Sequence, residues 1–306
     1  MSNTASGRVT EVSGQPASQE PRQDMTRQGT AKPGMARRGM DRLRFHYDVE
    51  KRLARRLMES TPEERRHLYT AVYDELFRTV EDHPQHTDKH ADDTTRIERQ
   101  LKLIRPLVKP TDVFLEIGAG DCKLSIGIAP HVKRVVAIDV SPEIVATKGL
   151  PGNVEVMISD GTSIPVEPAS ADFIYSNQLM EHLHPDDAVE QLRNIFTALR
   201  PGGRYMCITP NRISGPHDVS RHFNPVAEGL HLREYSYREL GDLFRQVGFR
   251  RIDAMVASRG IKLFTAPLAA MLPLENGIER LVRASKSVKE AKFTGVLLGV
   301  RAIAYK

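Results

Sequence analysis

The sequence contains no tryptophan and only two cysteines, Cys122 and Cys207, among its 306 residues. Two cysteines cannot form the disulfide framework of a small secreted protein, and they suit a reducing compartment. No uninterrupted apolar run approaches the roughly 20 residues that cross a bilayer. The first residues have neither the basic start nor the apolar core of a secretory signal. These absences predict a cytoplasmic protein without a transmembrane segment.

Strong charge of one sign is also lacking outside the first residues. The formal net charge is +5, but residues 1–44 hold eight Lys or Arg and four Asp or Glu, so the remainder is close to neutral. A basic tail beside a neutral domain is typical of a solvated segment rather than of a nucleic-acid interface. We therefore expect no nucleic-acid partner.

Composition and periodicity divide the chain into three parts. Residues 1–38 are rich in Ser, Thr, Gly, Gln and Pro, which predicts a disordered basic tail. Residues 39–93 predict a helical N-terminal extension, because apolar residues recur at helical spacing over 42–58 and Thr61–Glu64 reads as a capping box with proline at the first helical position. Residues 94–306 form the third part, in which strand and helix patterns alternate.

This alternation predicts an α/β fold with a doubly wound, mostly parallel sheet covered by helices on both faces. Helices are expected to begin near Ser141, Pro185 and Ser236. The short apolar runs that predict strands are 113–117, 135–138, 154–158, 173–175, 204–209, 251–256 and 295–305.

The most informative segment is the end of the first of these runs. Glu116 lies in the strand, and Gly118 and Gly120 follow it immediately before a helix. Glycine lets the backbone turn sharply and lets a ligand approach without an intervening Cβ. Asp139 ends the next strand, where an acidic residue accepts hydrogen bonds from the hydroxyls of an adenosyl ribose. The set predicts a nucleotide-like ligand at the carboxyl edge of the sheet.

Two ligands fit such a loop. A dinucleotide fingerprint requires a third glycine, and Lys123 occupies that position. Carboxylates at Glu116 and Asp121 disfavour a pyrophosphate and suit a ligand with a sulfonium and an ammonium group. An NAD-dependent oxidoreductase is therefore the alternative, and a non-catalytic protein that keeps the fold as a binding scaffold is another.

Over about residues 95–258 the chain resembles the class I S-adenosylmethionine-dependent methyltransferases. The resemblance rests on five segments in order: Leu115–Asp121, Ile138–Asp139, Ile158–Gly161, Ala171–His182 and Leu199–Arg204. It implies S-adenosylmethionine as the cofactor and a Rossmann-like sheet of seven strands, of which the last is antiparallel. Cofactor contacts are then expected at Glu116, Gly118, Gly120, Asp139, Asp160, Gly161 and Asn177.

Methyl transfer to a hydroxyl also needs a general base. His182 is the first candidate because histidine accepts a proton near neutral pH, and Glu181 is the second. A packing or helix-capping role is the alternative for His182. These residues follow the strand that ends near Asn177, which is where the acceptor is expected.

The sequence predicts the acceptor-binding residues less specifically than the cofactor-binding residues. His217 and Asp218 lie in a long polar loop and are candidates for binding a polar or anionic acceptor, and no metal site is predicted because their spacing with His231 fits no standard ligand pattern. Tyr69 and Tyr73 are one helical turn apart and either pack in the core or close over the acceptor as a lid. We expect O-methylation of a small or glycan-like, hydroxylated or anionic acceptor. The apolar segment 264–274 is expected to be core, and the alternatives are a cap over the acceptor, a homodimer contact or a loose membrane contact.

Overall fold

The computed structural model describes residues 39–83, 91–142, 145 and 149–306. The predicted basic tail, 1–38, lies outside the described residues, as does most of the helix expected to begin near Ser141. Residues Gly39–Lys306 form one compact unit. None of the described helices is long and apolar enough to cross a membrane.

Helices and strands follow one another as predicted for residues 94–306, although the first helix of this part begins at Ala91. The helices are α1 (Met40–Met58), α2 (Pro62–Thr79), α3 (Ala91–Ile104), α4 (Lys123–Ile128), α5 (Pro185–Ala198), α6 (Tyr237–Val247), α7 (Leu268–Ala284), α8 (Lys286–Glu290) and α9 (Lys292–Leu298). The strands are β1 (Val113–Ile117), β2 (Arg134–Asp139), β3 (Val154–Ile158), β4 (Ala171–Asn177), β5 (Leu199–Thr209), β6 (Arg251–Ser258), β7 (Ile261–Pro267) and β8 (Val300–Tyr305).

All eight strands form one mixed sheet in the order β3-β2-β1-β4-β5-β8-β6-β7. Strands β1 to β5 pair in parallel. The last strand, β8, lies between β5 and β6 and is antiparallel to both, as predicted. The doubly wound, mostly parallel sheet is therefore confirmed, and the carboxyl ends of β1 to β5 meet at one edge.

The sheet has one strand more than the predicted seven. Strand β7 pairs antiparallel with β6 at the edge of the sheet, across a two-residue turn. That turn is Arg259-Gly260, and both residues have positive φ, 51° and 79°, as a tight hairpin requires. The apolar insert predicted over 264–274 is accordingly the end of β7 followed by the start of α7.

The last strand is shorter than predicted. It begins at Val300 rather than Gly295, because Lys292–Leu298 forms helix α9 and Gly299 separates the two elements. An apolar run of this length fits either a strand or a buried helix, and periodicity alone does not separate them.

The N-terminal helices pack into the main hydrophobic core. The predicted capping box of α2 is present, with Glu64 N donating to Thr61 Oγ1 at 3.3 Å and Thr61 N donating to Glu64 Oε2 at 2.7 Å. A buried ion pair fixes α2 on the domain, because the Arg65 guanidinium donates to both carboxylate oxygens of Asp187 at 2.7 Å. The core side chains that α1 and α2 contribute include Leu53, Leu57, Tyr69, Val72 and Leu76.

Candidate active site

The glycine loop follows β1 at the point where the strand order reverses between β1 and β4. Gly118 and Gly120 have φ of +73° and +53°, a conformation that L side chains rarely adopt. A Cβ on Gly120 would meet nothing within 4 Å, so the loop presents bare backbone. In open α/β sheets, ligands bind outside the carboxyl ends of the strands at such a switch point.

Asp139 ends β2 and contacts this loop. Its Oδ2 accepts a hydrogen bond from Gly120 N at 2.8 Å, and its Oδ1 accepts one from Ser141 N at 3.0 Å. A carboxylate has about four lone-pair positions, so both oxygens retain acceptor capacity. Asp139 and the glycine loop, which the sequence predicts to act together, are therefore in direct contact.

Glu116 lies beneath the loop and is 6% exposed. Its Oε2 accepts a hydrogen bond from Ser125 Oγ at 2.6 Å. Burial raises the pKa of Glu116 to about 8, although the hydrogen bonds from Ser125 act in the opposite direction. Because burial penalises the ionised form, a cation beside this carboxyl would stabilise its charge.

Helix α2 reaches over the ends of three strands. The Tyr69 ring lies beside Gly161, where an added Cβ would be 3.1 Å from the ring. The Tyr69 hydroxyl donates to Asp187 Oδ2 at 2.6 Å and accepts from His184 N at 2.9 Å. Thr70 Oγ1 donates to the Val140 carbonyl, just after β2, at 3.0 Å. Tyr69 is therefore a buried side chain that contacts the site.

The loop after β3 holds the other two predicted cofactor residues. Gly161 has φ of +99° and its carbonyl accepts from Gln191 Nε2 at 2.6 Å. Burial disfavours ionisation of Asp160, but hydrogen bonds from Ser163 and Thr162 outweigh this and lower its pKa. Asp160 thus caps its own turn, accepting from Ser163 N at 2.8 Å. The last predicted cofactor residue, Asn177, is half-buried at the end of β4.

Glu181 follows β4 and is fully buried. Its Oε2 accepts from Thr209 Oγ1, at the end of β5, at 2.8 Å. Its Oε1 is buried and has no hydrogen-bond partner among the described residues. Burial raises the pKa of Glu181 to about 7.

His182 lies next to Glu181 and faces another histidine. Burial, with the charge of His231, lowers the pKa of His182 to about 3, so its ring is neutral. Its Nδ1 is 2.9 Å from the Leu230 carbonyl, which can only accept, so Nδ1 carries the proton and Nε2 is left as an acceptor. The rings of His182 and His231 meet edge to face at a centroid distance of 4.9 Å. Tyr73 also faces His182, at 6.0 Å between ring centroids.

The two predicted acceptor residues after β5 have structural partners. His217 N donates to Glu234 Oε1 at 2.6 Å, and Asp218 accepts from Ser220 N at 3.0 Å and Gly229 N at 2.9 Å. Burial lowers the pKa of His217 and raises that of Asp218. The structure brings His217 near His231 through their shared partner Glu234, to which His231 Nδ1 lies at 2.8 Å.

Glu50 is a residue that the sequence did not single out. It lies on α1, yet its Oε2 accepts from Leu230 N at 3.1 Å and its Oε1 lies 2.6 Å from His46 Nε2. The available signal was a glutamate next to Val49 on the apolar face of α1, where a charge needs a partner.

A doubly wound sheet with a glycine loop at the switch point and an acid ending the next strand is a Rossmann-like arrangement, in which nucleotide-like ligands are expected at the carboxyl edge of the sheet. Comparisons refine this class. Residues 114–203 match the family model described as a methyltransferase domain. This part of the chain is therefore similar to a methyltransferase domain, and two curated relatives with S-adenosylmethionine-dependent methyltransferase names are similar to about half of the chain.

Two relatives come from mycobacteria. A protein of Mycolicibacterium smegmatis named as a probable S-adenosylmethionine-dependent methyltransferase is 30% identical over 150 residues, which are 49% of this chain and 56% of that protein. One of Mycobacterium tuberculosis with the same kind of name is 32% identical over 136 residues, 44% of this chain and 47% of that protein. The chain spans about half the length of these relatives.

Among solved structures, a chain from the complex between the Haloferax volcanii Trm112 methyltransferase activator and a methyltransferase superposes with a TM-score of 0.51. It is 17% identical and covers 71% of this chain and 92% of that chain. At this identity the likeness shows a shared fold.

Proposed function

We propose that this chain is an S-adenosylmethionine-dependent methyltransferase. The observation that carries the proposal is the glycine loop, in which Gly118 and Gly120 adopt positive φ beside Asp139 at the carboxyl edge of the sheet. The matched methyltransferase domain and the names of the relatives support the same class.

In this proposal the cofactor lies along the loop with its ribose at Asp139, whose oxygens accept hydrogen bonds from the hydroxyls. Glu116 is the carboxyl that faces the positive end of the cofactor, because its own burial makes a cation favourable there. Gly161 and Asp160 border the adenine, and Asn177 borders the cofactor from β4. Support for this placement is that the ends of β1 to β4 meet at one edge.

The N-terminal helices form a lid over this site. Helix α2 contributes Tyr69 against Gly161 and a hydrogen bond from Thr70 to Val140. Helix α1 contributes Glu50, which binds the backbone of Leu230 on the acceptor side. Because one helix pair contacts both sides, it can exclude water from a reaction between cofactor and acceptor.

The acceptor lies next to Glu181 and His182 and is a small or glycan-like hydroxylated or anionic molecule that is methylated on oxygen. This placement is supported by two polar atoms, the Tyr73 hydroxyl and Glu181 Oε1. Both are buried without a partner among the described residues, and both flank His182. Buried polar atoms are almost always hydrogen-bonded, and a substrate hydroxyl would satisfy them.

Chemically, methyl transfer from a sulfonium is an in-line displacement, so alignment of the two reactants supplies much of the rate. His182 Nε2 accepts a hydrogen bond from a second polar group of the acceptor and so orients the reacting hydroxyl, which donates to Glu181. Glu181, with a pKa of about 7, is the group that takes the proton as the oxygen attacks.

Titration calorimetry with S-adenosylmethionine and with NAD tests the cofactor assignment. We expect binding of S-adenosylmethionine only, and Asp139→Asn should weaken it by at least about tenfold, because a hydrogen bond to a charged group contributes roughly 1.5–3 kcal/mol. The control is Glu155→Gln, which removes an exposed carboxylate near the start of β3, away from the carboxyl edge of the sheet, and should change affinity less than about threefold. Binding of NAD instead would overturn the proposal.

The acceptor is tested by release of S-adenosylhomocysteine over a panel of hydroxylated metabolites and oligosaccharides. Turnover that depends on Glu181 and His182 supports the assignment. Tight cofactor binding without turnover on any panel member would favour the scaffold alternative.

A further inference from the structure

Three side chains on the acceptor side direct ligand atoms toward one point. Glu181 and His182 follow β4, and His231 lies in the loop after β5. One ligand atom from each lies within 4.8 Å of the others. The set is two imidazoles and one carboxylate, drawn from segments 49 residues apart in sequence.

Each of the three side chains is held by a hydrogen bond through one of its two polar atoms. His182 Nδ1 donates to the Leu230 carbonyl at 2.9 Å, and His231 Nδ1 bonds Glu234 Oε1 at 2.8 Å. Glu181 Oε2 accepts from Thr209 Oγ1 at 2.8 Å. Metal-binding histidines almost always donate their second nitrogen to a carboxylate or a carbonyl, and metal-binding carboxylates are themselves hydrogen-bonded.

The remaining atom of each side chain is then available to a ligand. These atoms are Nε2 of both histidines and Oε1 of Glu181, which is buried and has no partner among the described residues. Glu181 is fully buried, whereas His182 and His231 keep a small exposure, which is 11% for the His231 side chain. A buried carboxylate oxygen left in this way is costly unless it is paired or coordinates a metal.

We propose that Glu181, His182 and His231 bind a divalent transition-metal ion. Two imidazoles and one carboxylate are the ligands of many catalytic zinc and non-haem iron sites, which keep further positions open. Magnesium and calcium prefer oxygen ligands and fit less well. Metal–ligand distances of about 2.0–2.2 Å put ligand atoms roughly 3–3.5 Å apart, so binding requires modest rotation of the three side chains toward one another.

The catalytic role of this metal ion rests on the proposed function, whereas the binding of the ion does not. An ion in this position would lower the pKa of an acceptor hydroxyl bound to it, and the hydroxyl proton would pass to solvent water. Glu181 and His182 would then serve as metal ligands in place of the base and the orienting residue. Binding of the metal itself is measured without cofactor or acceptor.

A second group of the same residue types lies on α1 and just after α2, and it serves as an internal comparison. His46, Glu50 and His83 also have ligand atoms within 4.8 Å of one another. There, however, the carboxylate is fully engaged, since Glu50 Oε1 lies 2.6 Å from His46 Nε2 and Oε2 accepts from Leu230 N. The structure therefore favours the Glu181 group.

The experiment uses the full chain after chelator treatment, titrated with Zn²⁺ by calorimetry and with Co²⁺ by visible absorption. We expect at least one equivalent of Zn²⁺ with a micromolar or lower Kd, and Co²⁺ ligand-field bands between about 500 and 650 nm, typical of a site with few ligands. Glu181→Gln and His231→Gln should each weaken binding at least about thirtyfold. His67→Gln, which removes an exposed histidine of α2, should leave it unchanged.

Glu181→Gln is suited to this test because its carbonyl can keep the hydrogen bond from Thr209, and its melting temperature should match or exceed that of the unchanged chain. Loss of Zn²⁺ binding in a folded variant supports the site. Zn²⁺ binding that survives both substitutions, or that is lost instead in Glu50→Gln, would overturn it. If the chain binds S-adenosylmethionine but not Zn²⁺, the metal site alone is refuted. If it binds Zn²⁺ but not S-adenosylmethionine, the proposed function is refuted.

Discussion

The cofactor side of the candidate site is built mainly from backbone, whereas the acceptor side is built from side chains. At the glycine loop, the amides and bare backbone of Gly118 and Gly120 lie beside Asp139, all within 22 residues of chain. On the acceptor side, Glu50, Glu181 and His231 come from α1, from the end of β4 and from the loop after β5. Backbone surfaces are set by the fold class, but side-chain clusters can change without altering the fold. A backbone-built surface suits a cofactor that many proteins of one fold share, and a side-chain cluster suits an acceptor that is particular to one protein.

The largest expected effect tests whether buried side chains fix the proposed lid, α1 and α2, to the cofactor side. Arg65→Met leaves Asp187 buried without its cation, and we expect a loss of about 3–5 kcal/mol in the free energy of unfolding. Urea denaturation measures this loss. Arg66→Met, at an exposed neighbour with ion-pair distances of 3.7 and 3.9 Å, should cost less than about 1 kcal/mol.

The double variant Arg65→Met/Asp187→Asn removes both charges and should regain part of the loss. Equal costs for Arg65→Met and Arg66→Met would mean that the buried pair does not fix α2, and the lid would then be independent of the domain.

A second effect concerns the one buried acid of the backbone-built side, Glu116. Its folded-state pKa of about 8 lies above the ordinary value of 4.5, so between these limits the folded chain binds more protons than the unfolded chain. Stability must therefore fall as pH rises through this window, by up to about 1.4 kcal/mol per pH unit. We expect the difference in unfolding free energy between the unchanged chain and Glu116→Gln to change accordingly between pH 5.5 and 7.5.

Saturating S-adenosylmethionine should flatten this dependence, since its cation favours ionised Glu116. Glu155→Gln, at an exposed glutamate of β3, is the control and should follow the unchanged chain. A pH dependence that is the same with and without Glu116 would refute the assignment of the shift.

The smallest effect on stability separates backbone conformation from ligand contact. Gly120→Ala and Gly202→Ala each place a Cβ at positive φ, +53° and +78°, with nothing within 4 Å. Each should cost about 1 kcal/mol of folding stability. Only Gly120→Ala should weaken S-adenosylmethionine binding, by about tenfold or more, because its Cβ enters the proposed ligand surface. Equal affinities in the two variants would show that the cofactor does not approach Gly120.

Sequence alone predicted the elements whose signals are local. Strands β1 and β3 have the predicted bounds, and the capping box of α2 is present as expected. The hairpin at Arg259-Gly260 was missed because arginine is an unusual residue at positive φ, so the turn carries only half of the usual signal. Helix α9 was read as strand because a short apolar run fits both.

The candidate site follows the same rule. Gly118, Gly120 and Asp139 could be predicted because their spacing along the chain fixes their meeting. The contact of Glu50 with Leu230 spans 180 residues, and its formation depends on how α1 packs on the loop after β5. No periodicity carries that information. For the same reason, the grouping of His231 with Glu181 and His182 could be recognised only in the folded structure.

The two amides that bind Asp139 have a consequence for the thermodynamics of ligand binding. Gly120 N and Ser141 N already fix the orientation of the carboxylate and the path of the glycine loop before any ligand arrives. The chain therefore loses the conformational entropy of this loop on folding, and little of it remains to be lost on association. A preorganised loop of this kind favours affinity through entropy, without requiring a larger contact area.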